Sequence, residues 1–310
     1  MKKLIKIPTF LMASILALFI TSPSFAAITV TDSLGEHQLE AHPKRIVALN
    51  WDLAEQLLEL GITPVGVPNI KDYSTWVVKP AIPEGVEDLG TRAEPNMQKL
   101  AELKPDLILA ASPQKDLIPR LQTIAPVLYY ESYEGQVDSA QEVITHFKHI
   151  AQVVDKSELA QTKLDAMNAR FSELNQQLTA AFGETLPQVL AMRFANQTAV
   201  YVYTENSTTN YVLKQLGLTP AMPLPPQHWG ISQKRITDLQ HIKDGYVVYF
   251  GPFSDQQKAQ LNKSMLWKAM PFVRNGHVNE AAPVWNYGGA MSMQYIAESI
   301  TESLLEIKEP

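Results

Sequence analysis

Apolar and polar residues alternate through Ala27-Ile-Thr-Val-Thr-Asp and again through Glu36-His-Gln-Leu, on either side of a Ser-Leu-Gly turn, which predicts a β-hairpin. Arg45-Ile-Val-Ala-Leu then reads as a short buried strand, and Asp52-Leu-Ala-Glu-Gln-Leu-Leu-Glu-Leu before Gly61 as a helix with its C-terminal glycine. The same rhythm continues. Thr63-Pro-Val-Gly-Val is a strand, Asn96 to Leu103 a helix, Leu107-Ile-Leu-Ala-Ala a buried strand, Gln114 to Ile124 a helix made irregular by Pro119, and Val127-Leu-Tyr-Tyr a strand. Alternation of this kind predicts a parallel sheet covered by helices.

The middle of the chain departs from the rhythm. Asp155 and Glu158 have capping-box spacing, and Leu159, Leu164, Met167, Phe171, Leu174, Leu178 and Phe182 follow at mostly three- and four-residue intervals up to Gly183. At 1.5 Å per residue such a helix is about 40 Å long, the length of a domain and not of a crossover. The strand and helix alternation then restarts with Val189-Leu-Ala-Met-Arg, Ala199-Val-Tyr-Val-Tyr, a helix from Asn210 to Gly217 and the strand Tyr246-Val-Val-Tyr-Phe. The fold expected is α/β: two α/β lobes joined by a single long helix, with the ligand cleft between the lobes. The boundaries expected are an N-terminal lobe over 27–154, the bridging helix over 155–183 and a C-terminal lobe over 184–310.

Residues 1–26 stand apart from this pattern. Lys2, Lys3 and Lys6 precede an apolar run that ends in Ser24-Phe25-Ala26, the layout of a cleavable secretory signal. Its removal takes three of the 26 basic residues and none of the 32 acidic ones, so the formal charge moves from −6 to −9. An acidic chain without a Lys/Arg block is a poor partner for nucleic acid or for an anionic membrane surface, and no later stretch is apolar for long enough to insert in a bilayer. The absence of cysteine excludes disulfides, thiolate nucleophiles, cysteine-ligated zinc or iron–sulfur sites and lipidation at an N-terminal cysteine. A soluble exported protein is best retained between two membranes, which points to a Gram-negative periplasm.

Catalytic motifs are missing from the sequence: no GxSxG elbow, HExxH pair, phosphate-binding P-loop or Gly-rich dinucleotide fingerprint occurs. His146 and His149, three apart on a helical segment, are better read as solvated side chains than as a metal pair, since no third ligand is in register. Trp76, Trp229 and Trp285 lie in polar or Gly/Pro-rich segments with no helix or strand face to bury them, so each either lines a ligand site or fills a local core. Trp267, among apolar helical neighbours, is expected to pack. Arg92 sits in a loop ahead of Glu94-Pro95-Asn96 at the start of a helix; it either pairs with Glu94 or offers a planar fork of donors at the cleft mouth.

Arg45-Ile-Val-Ala-Leu-Asn-Trp, Leu89-Gly-Thr-Arg-Ala-Glu-Pro-Asn, Leu103-Lys-Pro-Asp-Leu-Ile-Leu, His228-Trp-Gly, Leu266-Trp-Lys-Ala-Met-Pro-Phe-Val-Arg and Pro283-Val-Trp-Asn-Tyr-Gly-Gly together resemble the periplasmic ferric-siderophore-binding proteins of ABC importers, in particular their ferric-hydroxamate-binding branch. The resemblance runs in order along the mature chain. The Leu-Lys-Pro-Asp-Leu-Ile segment is common to the wider class, which includes vitamin B12 and haem binders, whereas the Arg92 and Trp267 to Tyr287 segments are more specific. It implies a monomeric carrier with no cofactor and no catalytic residue, which takes up a ferric siderophore of hydroxamate or mixed citrate-hydroxamate type and hands it to an inner-membrane permease. It further implies that Arg92 donates to the iron-bound oxygens, that Trp76 and Trp229 line a shallow cleft, and that Trp285, Tyr287 and Trp51 match the family's other cleft aromatics. The family's tyrosine after the Leu107 to Ala111 strand is replaced here by Ser112-Pro-Gln, which brings in Ser112 or Gln114 as substitute donors and Arg193 as a second cation from the C-terminal lobe. Iron coordinated by six siderophore oxygens needs no protein ligand, in keeping with the missing cysteines and scattered histidines. Asp116 is a candidate for docking to the permease. Competing readings are the same fold carrying cobalamin or haem, a cleft hydrolase, and a pure interaction scaffold.

Overall fold

The structure, a computed structural model, describes residues 27–308 apart from residue 136, so the expected signal segment 1–26 lies outside the described range. The chain opens on the antiparallel hairpin β1 (Ile28–Asp32) and β2 (Gly35–Leu39). The first lobe is built on β3 (Ile46–Ala48), β4 (Gly66–Val67), β5 (Glu87–Asp88), β6 (Leu107–Ala111) and β7 (Val127–Tyr130), parallel throughout, in the order β5-β4-β3-β6-β7. Parallel strands are covered on both faces, which is why β6 and β7 are buried along their whole length. Helices α1 (Trp51–Glu59), α2 (Ile70–Trp76), α3 (Met97–Glu102), α4 (Ile118–Leu121) and α5 (Ser139–Val153) complete this lobe. The Gln114 to Ile124 helix expected from sequence is divided into a 3-10 turn, Ser112–Leu117, and the short α4, with prolines in the first turn of each.

The bridging helix α6 spans Ser157–Phe182, and its buried face is the stripe Ala160, Leu164, Met167, Phe171, Leu174 and Leu178. Two details of the expectation fail. Leu159 is 37% exposed, Ala160 taking its place on the stripe. The Asp155/Glu158 capping box does not form: Lys156 is the N-cap residue, no side chain caps the helix, and Asp155 adopts a left-handed conformation at φ 54° in the tight turn between α5 and α6. That turn is closed by the Lys156 amide donating to the carbonyl of Ala151 at 2.7 Å.

The second lobe departs from an all-parallel sheet. Its order is β11-β9-β8-β12-β13, from β8 (Gln188–Phe194), β9 (Ala199–Tyr203), β10 (Thr219–Pro220), β11 (Ile231–Arg235), β12 (Tyr246–Phe250) and β13 (Val278–Ala281). β10, β12 and β13 run parallel to their neighbours, but β9 is antiparallel to β8 and β11 to β9. The few residues between β8 and β9 suffice for a hairpin and not for a helical crossover, which forces the reversal. Around the sheet lie α7 (Thr208–Gln215), α8 (Asp255–Lys263), α9 (Met265–Lys268), α10 (Pro271–Arg274) and α11 (Ser292–Lys308). Trp267 packs as expected, 4% exposed against Phe194, Tyr249 and Phe272.

The lobes also meet along a polar seam between α1 and the start of α11. The carboxyl oxygens of Glu55 accept from the Gly289 and Ser292 amides at 3.1 and 2.9 Å and from the Ser292 hydroxyl at 2.6 Å. One turn on, Glu59 accepts from Lys163 of α6 at 2.6 Å and from the Tyr295 hydroxyl. Such close approach needs glycine at 289, where an added Cβ would stand 2.3 Å from Cγ of Gln56.

Candidate functional site

In both lobes the carboxyl ends of the strands face the same space. Asn50 and Trp51 follow β3, Asn69 follows β4, Arg92 follows β5, Ser112 follows β6, and Tyr133 follows β7; from the other lobe come Arg193 near the end of β8, Phe250 and Gly251 at the end of β12, and Trp285 and Tyr287 after β13. β3 and β6 are neighbours from which the chain leaves in opposite directions, the switch point at which open α/β sheets present a crevice. The cleft holds two connected cavities of about 560 and 300 Å³. Both are lined by Arg92, Arg193, Trp285 and Tyr287.

The aromatic residues singled out from sequence form one edge-to-face chain across this cleft. Trp76 meets Trp285 at a centroid distance of 6.2 Å, Trp285 meets Trp51 at 5.1 Å and Tyr287 at 5.5 Å, and Tyr287 meets Trp229 at 6.0 Å. T-shaped pairs at these distances set each quadrupole edge against a face, so the rings hold one another in place. Trp51 is buried and its indole N–H donates to the Pro68 carbonyl at 3.0 Å, whereas Trp76 remains 37% exposed at the outer lip. Trp229 is held at φ 61°, an unusual conformation for a bulky residue, by its own amide donating to the Tyr133 carbonyl at 3.2 Å. Gly230 beside it also has φ 61° and lies so near Ser207 that a side chain would collide.

Arg92 is fixed from three sides. Its guanidinium carbon stacks 3.9 Å from the centre of the Trp51 ring and 5.6 Å from that of Trp285. Its amide donates to Asn69 Oδ1 at 3.0 Å, and its carbonyl accepts from Gln114 Nε2 at 2.6 Å. The guanidinium makes only a long 3.5 Å contact to Asn50 Oδ1 among the described residues, and no ion pair to Glu94 forms, so its N–H edges keep their donor capacity. Burial lowers its pKa, opposed by the charges of Asp52 and Asp72, and it stays a cation. Asp52, buried beside it, has a pKa raised to about 6 because desolvation outweighs its hydrogen bonds and the attraction of Arg92.

Arg193 does reach the cleft. Its guanidinium lies 4.4 Å over the Tyr201 ring and its buried Nε has no acceptor among the described residues. Ser112 borders the cleft, but its hydroxyl oxygen is itself buried, with no partner among the described residues, and is not presented to the open space. Gln114 is a correction: its side chain is fully buried, with Oε1 accepting from the Ala111 amide at 3.0 Å and Nε2 donating to Arg92, so both ends of the amide are used to hold the Arg92 loop and none faces the cleft. The histidine expectation is corrected too. His146 is buried, bonded to the Ser132 hydroxyl at 3.0 Å, and its pKa falls to about 4 through desolvation; it is a neutral core residue and not a solvated one.

Several cleft residues carry no signal in the sequence reading. Asn69 and Asn50 matter through contacts with Arg92 that are 23 and 42 residues distant. Tyr133 shares with the loop tryptophans the signature of an aromatic in a polar, Gly-containing loop, and the same criterion would have found it. Its hydroxyl is committed to the Gly288 carbonyl and is not a free donor to the cleft. Among the described residues no group of three or more His, Asp or Glu is placed to hold a metal ion, and no helix is long and apolar enough to cross a membrane.

The family pattern of periplasmic binding proteins matches residues 46–283, and the chain belongs to that family of two-lobed substrate-binding transport proteins. Within the family it is similar to the iron(3+)-hydroxamate-binding protein FhuD of Escherichia coli (strain K12), 28% identical over 269 residues that cover 86% of this chain and 89% of the relative. The Fe(3+) dicitrate-binding periplasmic protein FecB of the same organism is 31% identical over 220 residues, 67% of this chain and 66% of the relative. The crystal structure of the Fe3+–Desferal-bound siderophore-binding protein FhuD from Vibrio cholerae is 57% identical, with a TM-score of 0.83 over 86% of this chain and 99% of that one.

Proposed function

We propose that the protein captures a ferric siderophore of the hydroxamate class in the cleft between its lobes and delivers it, as a monomeric and non-enzymatic carrier, to an inner-membrane ABC permease. The observation that carries this reading is Arg92, stacked on Trp51 with its N–H edges engaged only by the long contact to Asn50 among the described residues, in a cleft walled by aromatic rings. A saturated ferric complex presents no vacant coordination site, so a protein recognises it by its organic shell and by the negative edge of its donor oxygens. Aromatic faces serve the first and a guanidinium fork the second. Iron is here the cargo.

The charge on the cleft wall favours hydroxamates within the wider class. Arg92 and Arg193 are balanced by Asp52 and Asp72, so the wall is close to neutral. Three hydroxamates neutralise ferric iron, whereas three catecholates leave a highly anionic complex and a citrate-hydroxamate adds a carboxylate. A neutral wall suits the neutral complex. The residues we assign to the ligand are Arg92, Trp76, Trp229, Trp285, Tyr287 and Trp51, with Arg193 as a secondary donor and Ser112 as part of the wall. Division at 27–154, 155–183 and 184–310, export by a cleaved signal 1–26 and retention in a Gram-negative periplasm complete the proposal. Docking to the permease falls to acidic side chains on each lobe, exposed Asp116 among them.

The test is intrinsic fluorescence. Four of the five tryptophans lie in or beside the cleft, so a ferric trihydroxamate, which absorbs broadly, should quench most of the emission saturably at micromolar concentration, while a ferric catecholate should do so only at much higher concentration. Emission unmoved by any ferric hydroxamate would refute the assignment.

A further inference from the structure

The cleft does not end at Trp285. Beyond it, toward the tip of the second lobe, lies a third cavity of about 600 Å³, as large as either part of the cleft itself. It opens from the cleft at Trp76, Arg193, Phe250 and Gly251, which line both spaces. Its inner wall is an aromatic cluster: Phe194 and Phe253 stand 4.9 Å apart, centroid to centroid, and Tyr249 lies behind both at 5.3 and 5.7 Å. Leu261 and Leu266 complete the apolar surface. At the outer rim the Gln197 amide donates to Gln260 Oε1 at 2.7 Å, tying the β8–β9 turn to α8. Apart from Arg193 at the junction, no charged side chain lines the space.

Arg92, Trp229 and Trp51 are all on the far side of the junction, so beyond Arg193 no cation of the described residues in this annex addresses iron-bound oxygens. A solvent-open space with Phe and Leu on its inner wall and the uncharged polar side chains of Asn196, Thr198, Gln257 and Ser264 beside the Gln197–Gln260 pair is a site for an uncharged, mainly apolar group, and its continuity with the cleft restricts the occupant to something attached to the molecule in the cleft. Resting on the siderophore reading above, we propose that the annex is a subsite for an uncharged, aliphatic arm pendant from the ferric hydroxamate head, so that the protein prefers siderophores carrying such an arm over the bare chelate. With Arg193 the charged side chain at its junction and no acidic residue in its lining among the described residues, the annex selects against arms ending in ammonium, which would lose hydration without a partner. The exposed Trp76 indole closes over the arm where it leaves the head.

The experiment is a homologous series: ferric complexes of one linear trihydroxamate whose terminal amine is capped with acetyl, hexanoyl or decanoyl, titrated by fluorescence against the full mature chain. Full burial of a methylene is worth about fourfold in affinity; hexanoyl adds four carbons to acetyl, so even half of that burial, about twofold per carbon, should make it bind more than about tenfold more tightly. Decanoyl should gain less per carbon as the annex fills. Gln260→Trp, which places a bulky ring in the mouth from an exposed position, and Phe253→Ser, which removes part of the wall, should each cut the hexanoyl advantage to under about threefold while leaving acetyl affinity unchanged. An affinity independent of arm length in the wild-type protein, or an advantage that survives both substitutions, would overturn the annex while leaving the head-group reading in place. Failure of the acetyl complex to bind at all would overturn both.

Discussion

Arg92 shows what a single residue owes to distant parts of the chain. The cation is useful because it is held and still under-used: Trp51 supports one face of the guanidinium at 3.9 Å, while Asn69 and Gln114 fix the backbone on either side of the side chain. Charge-assisted hydrogen bonds contribute about 1.5–3 kcal/mol, so Arg92→Ala should weaken ferric hydroxamate binding by about 10- to 150-fold in a protein that still folds, though one less stable for the lost stacking on Trp51 and the lost partner of Asp52. Arg92→Lys should recover only a part, since an ammonium lacks the planar fork and stacks poorly on Trp51. Titrations showing wild-type affinity in Arg92→Ala would remove both the residue and the ligand class argued from it. Arg92 was legible through the family resemblance that its Leu89-Gly-Thr-Arg-Ala-Glu-Pro-Asn segment carries, while its position between Gly90 and Pro95 by itself left a pairing with Glu94 open. Gln114 was read wrongly for a physical reason: a polar residue in a cleft loop and a polar residue that braces the next loop look the same until the partner, 22 residues away, is placed.

At the scale of elements, strands and the bridging helix were legible because burial imposes a period on them. β6 coincides with its apolar run, and α6 ends at the residue before Gly183. The antiparallel β9 was not, since a strand's own sequence does not say which way its neighbour runs. Nor was the polar face of α1, whose Asp52, Glu55, Gln56 and Glu59 are all buried; a helix that packs carboxylates against another lobe has the sequence of a solvated helix. This seam has a consequence for stability. Burial pushes the Glu55 pKa from 4.5 up to about 8, against the opposing hydrogen bonds from Ser292 and Gly289. A carboxyl whose folded pKa is raised binds more protons when folded than when unfolded, so its contribution is complete below about pH 4.5 and is lost as pH rises toward 8. Asp52, shifted only to about 6, has finished titrating by then, and His146, lowered to about 4, acts with the opposite sign only below its unfolded pKa of 6.5. Between pH 6.5 and 8 Glu55 therefore dominates. Urea midpoints should fall over that interval in the wild-type protein and stay nearly level in Glu55→Gln. A wild-type midpoint that rises with pH across the interval would show that Glu55 is ionised in the fold.

The whole molecule is braced on both sides of its cleft, and this decides how far the lobes can move. Behind the cleft, α6 is tied to α1 by Lys163 and Glu59 and to α11 by Arg170 and Glu298 at 2.9 Å, while Glu55 joins α1 to the Gly289–Ser292 turn. At the side, the Tyr133 hydroxyl donates to Gly288, the Ser139 amide to the Asn206 carbonyl at 3.0 Å, and the Asn206 amide to the Val137 carbonyl at 3.3 Å. Hinge closure needs a few residues free to change φ and ψ between otherwise independent bodies; a continuous 26-residue helix plus a buried seam supplies none. Capture must then work by fit to a cleft that is already formed, with side chains such as Trp76 making the adjustment, and the permease must recognise a loaded carrier by small changes at the rim. We expect saturation with a ferric hydroxamate to change the radius of gyration by less than about 1 Å in small-angle scattering, against the larger compaction of binding proteins that close about a hinge. A decrease of several ångströms would mean that the seam opens in the free protein. Repeating the measurement on Glu55→Ala would then tell whether those hydrogen bonds set the amplitude, because cutting them leaves α6, the Tyr295–Glu59 bond and the Tyr133 and Asn206 contacts in place.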